Sequence, residues 1–362
     1  MLVKQIPKDF YVEELINIKP KAQGDYTYFW LIKKNWTTMR AVQQISKACR
    51  ASKRRFKFAG TKDKFAITTQ AVSAFKISAD ALEKIDLKDI KIEIIGKGDK
   101  QISLGDLEGN KFEIIVRDLI KKDLEKLNKK AEGIKSGFKN FFGPQRFGRG
   151  NTHLIGKEIT KGKLQVDVEI LITFIGDKET ETAQRFREFA KDNWGKWKQI
   201  LSKAPKFLGI EKNVLNWLVK HPTDFAGALR KVSKPIRKLY VHAYQSWIFN
   251  KALHKLGKKD LPEKVPVPGF KTKLGKDTFS REIKKILKQD NIKLEDFKCI
   301  RIPELSSEGT ERKTIIKPKQ FKVGKPEKDE LNKGKQKIKL QFELPKGIYA
   351  TVLIGELFDE KN

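Results

Sequence analysis

Phe58-Ala59-Gly60-Thr61-Lys62-Asp63-Lys64-Phe65-Ala66-Ile67-Thr68-Thr69-Gln70 sets a single carboxylate between two lysines just after a glycine turn. Before it, Arg54-Arg55-Phe56-Lys57-Phe58 alternates basic and aromatic residues as a half-buried strand does. After it, residues 68–77 are rich in β-branched side chains and read as a second strand. The segment between is therefore a loop at a strand end, and loops held by rigid strands carry catalytic groups more often than the strands do. Nearby ammonium groups favour the ionised form of an aspartate and attract an anionic substrate. Asp63 is accordingly the candidate catalytic residue, although a solvated turn with a surface Lys-Asp pair has the same spacing.

Outward from this loop, Pro7-Lys8-Asp9-Phe10-Tyr11-Val12-Glu13-Glu14 reads as a proline-led turn and an alternating strand, with Lys4 just before it. Tyr26-Thr27-Tyr28-Phe29-Trp30-Leu31-Ile32 is too apolar for a sheet edge. Thr37 or Thr38 caps a helix whose Met39, Val42, Ile45 and Cys49 fall at helical spacing, as core residues do. A short helix over residues 78–85 and a strand over 90–95 follow. Leu104-Gly105-Asp106-Leu107-Glu108-Gly109-Asn110-Lys111-Phe112 is a glycine-flanked turn feeding the apolar strand 112–117. An asparagine amide at 110 can hydrogen-bond a carboxylate or a base edge, and a phenylalanine face at 112 can stack on a base. Asn after Gly is also a common turn residue, and Phe in a strand a common core residue.

A charged amphipathic helix over 121–130 closes at Gly133 and Gly137. It leads to Asn140-Phe141-Phe142-Gly143-Pro144-Gln145-Arg146-Phe147-Gly148. Three phenylalanines, two glycines and a proline beside Gln145 and Arg146 make a rigid aromatic loop suited to a nucleotide platform. His153 has no patterned carboxylate or cysteine and reads as structural. From about 156 to 308 helical spacing prevails, at 180–192, 214–220, 225–231 and 236–256. Tyr240, Tyr244, Trp247 and Phe249 of the last form an aromatic stripe expected in the core. Pro262 to Gly269 reads as a rigid connector, and 283–288 as a basic amphipathic segment. Strands return at 313–316 and 338–344, separated by a lysine-rich loop over 322–337.

At 362 residues, 39% hydrophobic and 34% charged, the chain has room for two domains with a buried core. Its 78 Lys plus Arg against 45 Asp plus Glu give a formal charge of +33, which argues for a polyanionic partner, nucleic acid before an anionic membrane. Only 14 of the basic residues are arginine, so phosphate contacts outweigh bidentate base reading. Lysine enrichment also accompanies growth at high temperature. Cys49 and Cys299 are far apart and lack a Cys-x-x-Cys partner, which indicates neither disulfides nor a zinc site and suits a reducing cytoplasm. No export signal and no membrane span is expected.

Gly60-Thr61-Lys62-Asp63-Lys64 with Ala66, Thr68 and Gln70 resembles the signature of the TruD family of pseudouridine synthases. Five further blocks agree in order: Pro7-x-Asp9-Phe10-x-Val12-x-Glu14, Asn110-x-Phe112, the 140–148 loop, Ala243-Tyr244-Gln245-Ser246-x-x-Phe249-Asn250, and Leu344-Pro345-x-Gly347-x-x-Ala350-Thr351. Two departures stand out: Phe141 replaces the family's tyrosine and Gly355 its usual arginine. The resemblance implies an α+β fold, with a catalytic domain of mainly antiparallel sheet over 1–155 and 309–362 and an inserted, mainly helical domain over 156–308. It implies isomerisation of uridine to pseudouridine in tRNA, most familiarly at the D-stem uridine of position 13, in the cytoplasm and without metal or cofactor. By the same resemblance Lys4 joins Asp63 in catalysis, Asn110 orients the aspartate, and Phe112 packs against the target base. Phe142, Gln145, Arg146 and Phe147 are then substrate-binding. A non-catalytic RNA-binding protein and a glycosylase are the competing readings.

Overall fold

The computed structural model describes residues 1–177 and 179–359, and the described residues fold as two compact units, one of residues 1–138 with 317–359 and one of residues 139–316. In chain order the first unit opens with β1 (Leu2–Val3), a 3-10 turn at Pro7–Asp9, β2 (Phe10–Ile16), β3 (Tyr26–Lys34), α1 (Thr38–Ala48) and β4 (Phe56–Phe58). It continues through β5 (Ile67–Phe75), α2 (Ala79–Glu83), β6 (Ile90–Gly98), β7 (Leu107–Leu119) and α3 (Lys121–Ser136). After β8 (Phe138–Lys139) the second unit holds α4 (Thr152–Thr160), α5 (Leu164–Thr173), α6 (Glu181–Asp192), α7 (Trp197–Lys203), α8 (Gly209–Lys220), α9 (Phe225–Arg230) and α10 (Lys234–Lys255). β9 (Lys264–Val267), α11 (Thr278–Asp290), β10 (Thr310–Lys313) and β11 (Ile315–Ile316) complete it. The chain then returns to the first unit with β12 (Lys319–Val323), β13 (Glu327–Lys328), β14 (Gln336–Pro345) and α12 (Ala350–Phe358).

The first unit is built on one large sheet of order β12-β14-β7-β2-β5-β3-β6, antiparallel except where β2 runs parallel to β5. That parallel pair brings the loop entering β5 to the same sheet end as the turn entering β2. β3 lies inside the sheet as its apolar character requires, with Phe29 and Leu31 fully buried. Thr37 caps α1 through its hydroxyl, and Val42 and Ile45 join a core cluster with Phe29, Phe56 and Val72. Met39 departs from the expectation: it is half exposed on the far side of the helix.

In the second unit the Asn140–Gly148 loop winds into a 3-10 turn at Pro144–Phe147, and α10 buries Tyr240, Tyr244 and Phe249. Two local readings are corrected. Asn110 stands inside β7, which already begins at Leu107, because the glycine at 109 pairs with Pro345 in the ladder rather than turning the chain. The proline-rich 262–269 segment is not merely a connector: Lys264–Val267 is a strand paired antiparallel with β10, Pro266 lying opposite Glu311. Both cysteines are free thiols, and no described helix is long and apolar enough to cross a membrane.

Candidate active site

Asp63 sits in the loop between β4 and β5, and three side chains fix that loop. Lys33, the last inward position of β3, is 1% exposed and donates from Nζ to the carbonyl oxygens of Asp63 (2.9 Å) and Trp36 (2.7 Å). Burial pushes its pKa down to about 8, against the pull of Asp63 and with that of Lys62. The Thr38 hydroxyl accepts from the Lys62 backbone N–H (2.9 Å) and donates to Gln70 Oε1 (2.7 Å). The Gln70 amide in turn donates to the carbonyl of Gly60 (3.1 Å). Thr38 and Gln70 are both buried, so the loop is tied at both ends from inside the sheet.

Lys4 reaches the Asp63 carboxylate directly. It follows β1, whose Leu2 and Val3 pair with Arg117 and Val116, and it takes a left-handed backbone conformation (φ 61°) before the Pro7–Asp9 turn. Its ammonium donates to Asp63 Oδ2 and lies 3.8 Å from the centre of the Phe10 ring, a cation–π contact on its apolar side. The Lys4 side chain is largely covered while that of Asp63 remains 42% exposed, so the carboxylate faces solvent from a fixed position.

Lys62 turns the other way. Its ammonium donates to Asn110 Oδ1 (2.8 Å) and forms an ion pair with Glu14 Oε1 (2.8 Å), residues that are register partners on β7 and β2. Glu14 is fully buried, its second oxygen accepting from the Ala71 backbone N–H (3.0 Å). Burial raises its pKa, opposed by the Lys62 charge and the hydrogen bonds. Phe112, 6% exposed, stacks on Phe342 with ring centres 5.4 Å apart and meets the Phe10 ring edge-on at 6.1 Å.

The structure thus brings Lys4 onto the Asp63 carboxylate. It reaches Asn110 through Lys62, with no hydrogen bond between Asn110 and the aspartate, and it seats Phe112 in an aromatic layer with Phe10, the ring beneath Lys4. The four loop candidates lie in the second unit. Phe142 is nearly buried, clamped by Asn250, whose amide exchanges hydrogen bonds of 2.8 Å with the Phe142 N–H and carbonyl. Arg146 leans over the Phe142 ring, Phe147 packs edge-on against His153, and Gln145 is exposed. His153 stacks on Trp247, and burial drives its pKa to about 4, as befits a structural imidazole. Lys33 was missed by sequence reading, yet it had a signal: a lysine in the inward register of Phe29 and Leu31 must find partners or lose its charge. Glu14 and Gln70 lay within quoted motifs without a role.

A model of the family described as tRNA pseudouridine synthase D (TruD) matches residues 1–266 and 258–357. "Probable tRNA pseudouridine synthase D" of Methanosarcina acetivorans is 35% identical, the match covering 98% of this chain and 91% of that one. A protein of the same designation from Methanopyrus kandleri is 33% identical over 94% and 87% of the two chains. The crystal structure of a candidate tRNA pseudouridine synthase D (TruD) from Methanosarcina mazei superposes with a TM-score of 0.81 at 32% identity, covering 99% of this chain and 93% of that one. The α+β fold with its large, mostly antiparallel sheet is therefore one that a relative shares along nearly its whole length. The chain belongs to the TruD family and is a tRNA pseudouridine synthase, an isomerase.

Proposed function

We propose that Asp63 is the carboxylate that drives isomerisation of a tRNA uridine, the D-stem uridine of position 13 by family expectation, in the cytoplasm. The observation that carries this reading is the Lys4–Asp63 pair, a partly exposed carboxylate held by an ammonium and by a loop locked through Lys33, Thr38 and Gln70. The reaction breaks the bond from C1′ to N1, turns the uracil, joins C1′ to C5, and releases the C5 proton while N1 takes up a proton, with no net redox change or hydrolysis. A carboxylate acting on the sugar or the base serves this chemistry, and the Lys4 charge beside it stabilises charge that develops there. Lys62 and Asn110 hold the floor next to the aspartate. Phe112, braced by Phe342 and Phe10, is the apolar surface that retains the freed uracil. The sheet of the first unit belongs to the catalytic domain and residues 156–308 are the insert, while Phe142, Gln145, Arg146 and Phe147 of the 140–148 loop contact RNA. Taking the base out of its stack costs roughly a few kcal/mol, which contacts to the flanking RNA offset.

Tritium release from C5-labelled uridine in tRNA tests the assignment. Wild type releases tritium, and Asp63→Asn releases it at least about a hundredfold more slowly. The RNA keeps its mass and no free base appears, which sets the reaction apart from a glycosylase. Equal release by the two proteins would sink the role of Asp63, and sequencing of the product for pseudouridine gives the position.

A further inference from the structure

The Pro144–Phe147 turn packs against α10, and a cavity of about 300 Å³ there is lined by Phe142, Arg146, His242, Gln245, Glu311 and Arg312 among others. Most of its polar groups are spent. Gln245 donates to the Pro268 carbonyl (2.6 Å) and accepts from the Ser307 hydroxyl (3.0 Å), and the Ser246 hydroxyl donates to the His242 carbonyl (2.7 Å). Arg312 donates to the backbone (3.1 Å) and side-chain (2.6 Å) oxygens of Asn140 and lies over the Phe142 and Phe249 rings. Successive side chains leave a strand on opposite faces, so the exposed Glu311 is turned from the face that carries Arg312.

Arg146 is different. Among the described residues none accepts a hydrogen bond from its side chain and none pairs with its charge. Its Nε is sealed from solvent without a partner, whereas its two terminal nitrogens are open to the cavity. Leaving Nε unpaired is costly, and a guanidinium held at that cost points to a use for the edge that stays free. The Phe142 ring, its centre 5.3 Å from the guanidinium, supports the plane. A planar fork with a free edge takes two oxygens of one anion, and a phosphodiester presents two. His242, one turn after Lys238 on α10, is the second uncommitted group in the wall. Desolvation, then the charges of Arg146 and Lys238, hold its pKa below the ordinary value. β10 brings Glu311 and Arg312 to the same cavity, β9 only Val267, and the loop before β10 only Ser307 and Gly309. An anion seated on Arg146 reverses the local field and favours the imidazolium.

We propose that this cavity holds one backbone phosphate of the RNA substrate, its two non-bridging oxygens on the free edge of Arg146 and the His242 imidazole beside it as a second donor. The proposal rests on the reading of the 140–148 loop as RNA-binding and names what its arginine takes, phosphate rather than base. The site therefore positions the RNA and adds to affinity for every sequence alike. It also couples binding to a proton. The phosphate raises the affinity of His242 for a proton, so by reciprocity affinity for RNA rises as pH falls.

Filter binding of tRNA to the full chain carrying Asp63→Asn, with and without changes in the cavity, tests the proposal. Arg146→Gln weakens binding about tenfold at 50 mM salt, by the same factor for tRNAs of different sequence, and makes the slope of log K against log salt shallower by about 0.9. Arg146→Lys keeps the charge and the stem packed over Phe142, and it keeps the slope, which separates loss of the contact from loss of folding. From pH 7.5 to 5.5 affinity rises at least about threefold, and Arg146→Gln and His242→Gln each remove that rise. His242 is exposed, so its replacement leaves folding intact. A weaker Arg146→Gln complex with an unchanged slope, a loss that depends on tRNA sequence, or a pH dependence that survives His242→Gln would each overturn the phosphate site alone. Full affinity in Arg146→Gln would sink the RNA-binding reading of the loop with it, so the two failures are told apart.

Discussion

Lys33 carries a positive charge into a place where water cannot follow, compensated by two carbonyl oxygens, one of them that of Asp63, and by the charge of the Asp63 carboxylate. Its folded pKa of about 8 lies below the ordinary lysine value because burial disfavours the ammonium. The sign follows from linkage: between about pH 8 and pH 10.5 the unfolded chain binds the proton that the folded one has lost, so the contribution of Lys33 to stability rises with pH across that window. From pH 7 to pH 9.5 the gain is about 2 kcal/mol for this one group. Lys33→Met abolishes that slope, seen as the difference between wild-type and variant denaturation midpoints at the two pH values. The same variant frees the Asp63 carbonyl, so kcat for tritium release falls while tRNA affinity holds. A midpoint difference that stays constant from pH 7 to 9.5 would show that the ammonium is not desolvated.

β7 is the element on which the first unit turns. It pairs with β1, β2 and β14, and it carries Asn110 and Phe112 near one end and Arg117 near the other. Arg117 is 2% exposed and binds three acids: Asp9 (2.8 Å) in the turn after Lys4, Asp329 (2.8 Å) and Glu330 (2.9 Å). Burial alone would raise the Asp329 carboxyl, but the Asp118 and Leu331 N–H groups, Asn332 and Arg117 outweigh it and hold it well below the usual range. Arg117 and Lys337 bring Glu330 down to about 2. Carboxylates depressed in the fold stabilise it above their unfolded pKa values near 4, and that support is lost as pH falls toward 2. Arg117→Met leaves two buried acids unpaired, costs about 3–5 kcal/mol, and moves the acid-unfolding midpoint to higher pH, measurable by circular dichroism. An unchanged midpoint would mean that the acids find other partners. This cluster also marks where sequence reading stops. Strands such as β2 and β3 were legible because side chains alternate about a sheet plane, and Asp63 and Lys4 were legible through motifs. That Arg117 meets acids over 200 positions away is a fact of topology that no local pattern carries.

At the scale of the whole molecule the excess charge has two explanations, and they predict different things. Growth at high temperature enriches lysine together with acidic partners, in networks where the two signs nearly match. Here 78 basic residues face 45 acidic ones, so if every acid took one cation, 33 would still be unpaired. Such a surplus repels itself in the compact state, and binding a polyanion relieves it. Most of these cations are lysines, which neutralise phosphates without reading bases, so affinity for tRNA should follow the release of condensed counterions. For roughly six to ten phosphates contacted, the association constant falls by about 10³–10⁵ between 50 and 200 mM salt, as a straight line of log K against log salt. Filter binding of tRNA across that range gives the slope, with Asp63→Asn used so that no turnover intrudes. The line should be as steep for a tRNA whose target uridine is replaced by cytidine, because the phosphates, not the base, supply the term. A shallow slope, or one that depends on the target base, would assign the surplus lysines to something other than the RNA backbone.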